Sequence, residues 1–266
     1  MKRYSRVFFL LIVLIVGCQL TLAKDSGFLR KPFFAQRVLL TYHTAGDEDY
    51  GYEYREQVRY KEISALYIKQ TGPSYSYDLY VNAENMEPLY LSLTDHSGEM
   101  DAKRVEVEFS QEEIKMRLGA EERIKKKVFR KKEGELIYPA EQFAVLLRNL
   151  DFSRAQTTFK GLIYEYPYIS TLLFAVEGKE RVSVKAGDFD TYKIMLTLPG
   201  LKSIFFKAYF WVSTEEPHYL IKYEGKRHKR TVVTELVKIG ELDRQPNIAE
   251  IESSFSCVLA GYLTLT

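Results

Sequence analysis

The sequence has few of the residues that build metal and redox sites. Its 266 residues include two cysteines, Cys18 and Cys257, and a single tryptophan, Trp211. The four histidines show no pair at the spacing of metal ligands and no cysteine beside them: His43, His96, His218 and His228. We therefore predict no metal site and no cofactor.

Motifs of nucleophilic and phosphate chemistry are also missing. The chain has no Gly-x-Ser-x-Gly elbow, no phosphate-binding loop and no nucleophile placed beside a base. Asp188 and Asp190 would share one strand face, as an acid–base pair does, but the preceding Gly187 favours a hairpin turn. The sequence therefore predicts a protein that is not an enzyme, with an unrecognised hydrolase as the least favoured alternative.

Two acidic segments are candidates for a bound cation. Residues 47–49 (Asp-Glu-Asp) lack the alternating oxygen ligands and the glycine of a calcium loop, which favours a solvated turn. His218 follows Glu215 and Glu216, and an imidazole beside two carboxylates could hold a cation. A polar hairpin loop is the favoured interpretation there.

The one long apolar run lies at the N-terminus. Residues 7–16 follow a basic segment and are shorter than the ~20 residues of a membrane-spanning helix, which predicts a secretory signal. Gly17-Cys18 resembles the lipobox of bacterial lipoproteins, which implies cleavage after Gly17 and acylation of Cys18. The alternatives are cleavage after Ala23 and an uncleaved anchor. Gln19, by resemblance to lipoprotein sorting rules, favours the outer membrane.

The charge balance changes once this signal, residues 1–17, is removed. The whole chain has 38 Lys and Arg against 36 Asp and Glu, and the signal holds three of the bases, so 35 remain. We therefore predict no nucleic-acid partner. Cys257 is then the one free thiol, so no intrachain disulfide forms. The basic run of residues 125–132 is either a solvated strand or sheet edge protected by lysine or a site for anionic lipid head groups.

Alternation with a period of two dominates the first half of the chain. Apolar and polar residues alternate over 75–81, 104–109 and 114–118, which predicts strands with one buried face and one wet face. Residues 110–113 favour a hairpin between the last two strands, with a capping box opening a helix as the alternative.

The second half predicts further strands and one helix. Strands are expected over 192–198, 206–212, 219–223 and 231–239, with apolar residues on both faces, so they are covered twice or line a cavity. Apolar spacing after Pro139 predicts a helix over Ala140 to Leu150. We expect one β-rich domain over residues 24–240 and a poorly patterned tail over 241–266.

Residues 136–239 resemble an exported bacterial family, the domain of unknown function 3108. The resemblance rests on the helix block 141–151, on the Gly-Asp-Phe hairpin within 184–193, and on the strand ends 210–213 and 217–223. It implies a lipoprotein-carrier-like fold: mainly β, a strongly curved antiparallel sheet or open half-barrel with one helix packed in its mouth. It implies no catalytic residues.

Four aromatic residues are the candidate binding site. They lie in two adjacent predicted strands and could form one aromatic wall, although packing in the core is the favoured alternative: Tyr209, Trp211, Tyr219 and Tyr223. We expect a non-enzymatic envelope protein, a lipoprotein on the periplasmic face of the outer membrane. Its curved sheet would shelter an apolar or lipid-like ligand. The alternative is a structural or assembly factor that acts through protein contacts.

Overall fold

The computed structural model describes residue 29 and residues 37–47, 50–98, 103–120, 123–164, 167–204, 206–227 and 230–241. The predicted signal, Cys18, Ala23 and Cys257 lie outside these residues. The described chain forms strands β1 Val38–Thr44, β2 Tyr50–Tyr60, β3 Ile63–Thr71, β4 Tyr75–Asn82, β5 Pro88–Asp95, β6 Arg104–Phe109, β7 Glu113–Ala120, β8 Arg123–Arg130, β9 Ile137–Pro139, β10 Gln156–Ile163, β11 Tyr168–Val184, β12 Gly187–Thr197, β13 Lys207–Ser213, β14 Leu220–Arg227 and β15 Arg230–Glu241. It also forms one α-helix, α1 Phe143–Arg148, and two 3-10 turns, Ala140–Gln142 and Gly200–Ile204.

All fifteen strands belong to a single sheet. Their order is β8-β7-β6-β5-β4-β3-β2-β1-β15-β14-β13-β12-β11-β10-β9, and every neighbouring pair is antiparallel except β9 and β10. The first and last strands therefore pair in the middle of the sheet, with Val38 opposite Glu241. We call β1–β8 the N-terminal arm and β9–β15 the C-terminal arm.

The two arms share one hydrophobic core, with the helix between them. Leu79 and Val107 of the N-terminal arm, Phe174 of the C-terminal arm, and Leu146 and Leu147 of α1 belong to the same buried cluster. A strongly curved sheet brings such distant strands together. The predicted fold class, a mainly β protein with an open curved sheet and a helix in its mouth, is confirmed.

The helix is shorter than the predicted Ala140–Leu150. Pro139 is extended, with φ −69° and ψ 154°, and ends β9, and the next three residues wind as a 3-10 turn. At the other end Asn149 leaves helical geometry at φ −104°, and its side-chain amide donates to the carbonyl oxygen of Val145 over 2.9 Å. The sheet and this amide thus limit the helix to six residues.

The alternating segments form strands as predicted. In β4, β6 and β7 the apolar positions are buried in the core or, at Tyr75 and Phe109, half-buried against it, while the intervening positions are largely exposed or half-buried. Residues 110–112 form the hairpin between β6 and β7, and the hydroxyl of Ser110 donates to the carbonyl oxygen of Glu113. The helical alternative for this segment is wrong.

The hairpin of β11 and β12 extends beyond the main core. A register shift at Val176 and Gly178 changes the course of β11. Beyond it, the hairpin end packs on a second apolar cluster formed by β1, β14 and β15, and the amide of Ala186 donates to the carbonyl oxygen of Leu236. This packing covers the central strands of the sheet.

Candidate functional site

The structure places the four predicted aromatic residues on different surfaces. Tyr223 stands opposite Phe210, with ring centroids 5.0 Å apart, on the core side of the sheet. Tyr209 and Trp211 alternate with Phe210 and therefore face the outer side. A register shift between Trp211 and Val212 further offsets β14 against β13. The predicted single aromatic wall is not formed, because the strand pairing separates its members.

Trp211 is buried on the outer side of the sheet. Its side chain is 6% exposed, and its indole nitrogen donates to the carboxylate of Glu180. The ammonium groups of Lys193 and Lys222 each lie 5.3 Å from the ring centroid. The ring thus has charged and aromatic neighbours already, and a ligand-binding role for Tyr209 and Trp211 stays a prediction.

Tyr219 contacts the end of the helix. The guanidinium carbon of Arg148 lies 4.9 Å from the Tyr219 ring centroid, and Arg148 Nε donates to the carbonyl oxygen of Pro217 over 2.8 Å. His218 is buried, and its Nδ1 donates to the carbonyl oxygen of Ser213 over 2.9 Å. His218 therefore holds the hairpin loop together. Within the described ranges no group of three acidic, histidine or cysteine side chains could hold a metal ion.

Charged residues lie inside the curved sheet, beside the start of the helix. Arg55 is 3% exposed and Glu53 is 4% exposed, and they form an ion pair on the core-facing side of β2. Arg55 stands directly opposite the core residue Ile68. We call Glu53, Arg55, Tyr77, Glu141 and Gln142 the interior polar cluster. Burying an ion pair costs several kcal/mol per charge in desolvation, which close pairing offsets only in part.

The interior polar cluster connects the sheet to the helix. Tyr77 Oη donates to the carbonyl oxygen of Glu141 over 3.4 Å, and Gln142 Nε2 donates to that of Met86 over 2.7 Å. Among the described residues, Arg55 Nη1, Glu141 Oε2 and Gln142 Oε1 are buried without a hydrogen-bond partner. Burial raises the pKa of Glu141 to about 7, although the residue as a whole is half-buried. The cluster can therefore exchange a proton near neutral pH.

A row of tyrosines crosses the outer face of the N-terminal arm. We call it the tyrosine stripe: the buried Tyr54 and the half-buried Tyr60, Tyr67, Tyr80 and Tyr90. The ring centroids of Tyr60 and Tyr80 are 4.4 Å apart, and those of Tyr67 and Tyr80 are 4.9 Å apart. Burial raises the pKa of Tyr67 and Tyr80, so these rings stay neutral. The sequence signal for the stripe was the tyrosine at a predicted wet position, Tyr80, but its partners depend on register.

The remaining candidates have structural partners. The basic run of residues 125–132 forms most of the edge strand β8, and Lys131 pairs with Glu87 over 2.9 Å. Asp188 lies just after the hairpin turn as the favoured interpretation predicted, and its carboxylate pairs with Arg181 over 3.3 Å. Hydrogen bonding by Ser183 and then by Arg181 lowers the pKa of Asp188. In the part of the chain described, no helix is long and apolar enough to cross a membrane.

Comparisons with known proteins return distant structural matches. The chain is similar to a β-barrel-like protein of domain of unknown function 1849 from Brucella abortus, at 9% identity and a TM-score of 0.45, over 81% of this chain and 100% of that one. It is also similar to a candidate lipoprotein from Parabacteroides distasonis, at 10% identity and a TM-score of 0.25, over 82% and 100% of the two chains. No protein-family profile matches, so the resemblance to domain of unknown function 3108 stays an expectation. No curated protein matches the chain either.

Proposed function

We propose that this is a non-enzymatic protein of the cell envelope that acts as a structural or assembly factor through protein contacts of the tyrosine stripe. The position of the stripe is the observation that supports this proposal. The outer face of an antiparallel sheet is ordinarily polar, yet neighbouring rings here cover four adjacent strands. Tyrosine supplies a large, rigid and amphipathic contact area at a low entropy cost, and it is enriched in protein interfaces.

The close packing around α1 favours a function in protein contacts over the sheltering of an apolar ligand. Leu146 and Leu147 of α1 are 0% exposed, as are Leu79 and Val107 of the opposing arm. Side chains without any accessible surface do not border a space large enough for water. An apolar ligand between α1 and the opposing arm would therefore require α1 to move.

Site-specific photo-crosslinking in the native envelope tests the proposal. A photoreactive residue at Tyr90 should give a defined protein adduct, and the same residue at Thr158, exposed on the outer strand β10 of the other arm, should not. Tyr80→Phe should keep the adduct because the ring remains, while Tyr80→Thr should weaken it. Equal labelling at Tyr90 and Thr158, or none at either, would count against the stripe as a contact surface.

The envelope location rests on the predicted acylation of Cys18. Each buried methylene contributes about 0.8 kcal/mol, so a multiply acylated N-terminus would hold the protein at a membrane. Cys18→Ser should leave unprocessed precursor or release a soluble form, as measured by fractionation and intact mass. An unchanged mature mass and unchanged membrane fractionation would contradict lipidation. The resemblance of residues 136–239 to an exported family also supports this location.

A second candidate function is the binding of a lipid-like ligand, and the interior polar cluster favours it. Ligand sites combine apolar walls with a few polar groups that orient the ligand, and the unpartnered Nη1 of Arg55 suits an anionic head group. Titrating the protein with a long-chain fatty acid should then raise its melting temperature. Glu53→Leu with Arg55→Met, which removes the head-group site without leaving a lone buried charge, should reduce that rise. A melting temperature that does not respond up to the solubility limit would exclude this candidate.

A further inference from the structure

Exposed apolar side chains gather at one end of the curved sheet. Leu201 is 92% exposed and Ile204 is 77% exposed, both in the 3-10 turn between β12 and β13. Tyr168, at the start of β11, is 49% exposed, and Ile124, at the start of β8, is 59% exposed. Because neighbouring strands are antiparallel, the start of β11 and the end of β12 lie at the same end of the sheet. We call these four residues the apolar rim.

Contacts hold two parts of the rim in position. The ammonium group of Lys127 in β8 donates to the carbonyl oxygen of Pro167, beside Tyr168, so the edge strand adjoins this loop. The buried hydroxyl of Thr197 contacts the carbonyl oxygens of Ser203 over 3.3 Å and Phe206 over 2.7 Å. These bonds fix both ends of the turn that carries Leu201. The turn that carries the exposed Leu201 is therefore attached to the end of β12.

Lysines flank the rim on both sides. Lys125 and Lys126 are exposed beside Ile124, and Lys202 and Lys207 are exposed beside Leu201 and Ile204. The segments 123–132 and 198–207 contain no aspartate or glutamate. The acidic residues of the two adjoining turns, Glu121, Glu122 and Glu165, lie outside the described residues.

We propose that the apolar rim docks on an anionic lipid bilayer. Apolar side chains surrounded by lysines match the head-group region and the acyl boundary of a membrane. The apolar side chains enter the acyl boundary, and the ammonium groups contact lipid phosphates. Three aliphatic side chains and one tyrosine give weak and reversible docking, which suits a chain already held near a membrane, as proposed above. This docking is separate from the tyrosine stripe, which lies on the strand faces and stays open to a partner.

Fluorescence quenching by brominated lipids tests the docking in the full chain. Trp211→Phe removes the one native indole, and Leu201→Trp or Ile63→Trp then introduces a new one. Ile63 is the matched control, because it is 38% exposed at the opposite end of the sheet. With vesicles of brominated phosphatidylcholine and phosphatidylglycerol, we expect Leu201→Trp to be quenched and blue-shifted and Ile63→Trp to be unchanged.

Two further comparisons separate docking of the rim from other causes of quenching. Replacing Lys202 and Lys207 with Gln, or using phosphatidylcholine alone, should reduce the quenching several-fold if lipid phosphates are recognised. Equal quenching at positions 63 and 201 would show that another part of the chain brings the protein to the vesicle. That result would overturn the proposal. The absence of quenching at position 201 would overturn it too, because a rim that contacts only water or a protein is not quenched by lipid. Crosslinking at Tyr90 is independent of all these outcomes.

Discussion

Glu141 shows how one buried carboxyl group connects stability to pH. Its Oε2 atom lies against the interior, and burial raises the pKa of the group from its ordinary value of 4.5 to about 7. Below pH 4.5 the carboxyl is protonated in both the folded and the unfolded chain. Between these two values the unfolded chain releases the proton and the folded chain keeps it, so folding becomes less favourable as the pH rises.

We predict that Glu141→Gln reduces this pH dependence. The free energy of unfolding of the wild type should fall between about pH 5 and pH 7 relative to that of the variant, because a neutral amide has no proton to release. Denaturant unfolding of both proteins at several pH values measures the difference. A constant difference across this range would show that the Glu141 carboxyl is solvated in the folded protein.

Removing one partner of the Glu53–Arg55 ion pair should destabilise the protein more than removing both. Removing one partner leaves a buried charge without compensation, which costs about 3–5 kcal/mol, whereas replacing both by apolar residues of similar volume is often neutral. We therefore expect Arg55→Met to destabilise the protein strongly and Glu53→Leu with Arg55→Met to recover much of that loss. The free energies of unfolding of the two variants, measured in urea, test this expectation. A double variant as unstable as the single one would mean that the ion pair contributes net stability that apolar packing cannot replace.

At the scale of elements, α1 joins the two arms. Leu147 is 0% exposed in the shared core, so Leu147→Ala should lower the free energy of unfolding by about 2–5 kcal/mol. Ala144→Ser, at a half-buried position of the same helix, is the matched control and should cost far less. A loss under about 1 kcal/mol for Leu147→Ala would place the helix at the surface.

The sequence predicted those elements whose pattern is local. In β4, β6 and β7 one face meets the core and the other meets water, so alternation alone located each strand. The helix was predicted five residues too long, three at its start and two at its end, because the extended Pro139 and the amide of Asn149 act through geometry that apolar spacing does not record.

Features that depend on strand pairing were not accessible from the sequence. The register shift at Trp211 and Val212 and the core-side position of Tyr223 depend on which strands meet and how they align. The tyrosine stripe joins residues of four strands, and the ion pair of Glu53 and Arg55 resembles a wet strand face in the sequence. Only the curvature of the whole sheet places that face inside.

For the whole molecule, the sheet order makes the two halves of the chain interdependent. The arms meet through the β1–β15 pairing and the shared core, and a loop over residues 131–136 connects them in sequence. A protease site inserted between Glu133 and Gly134, both exposed, should therefore be cut without separating the arms. The cut protein should elute with the uncut protein in gel filtration and divide only in denaturant. Separation without denaturant would show that the arms are independent units.

The pairing of the first strand with the last also sets when the protein can fold. Val38 must find Glu241, so the centre of the sheet cannot form until almost the whole chain has been made. Contacts between residues so distant in sequence make folding slow, and until then β1 presents an unpaired edge open to wrong partners. The same delay would keep the centre of the sheet unformed while the chain is made, which is the state that the export proposed above requires.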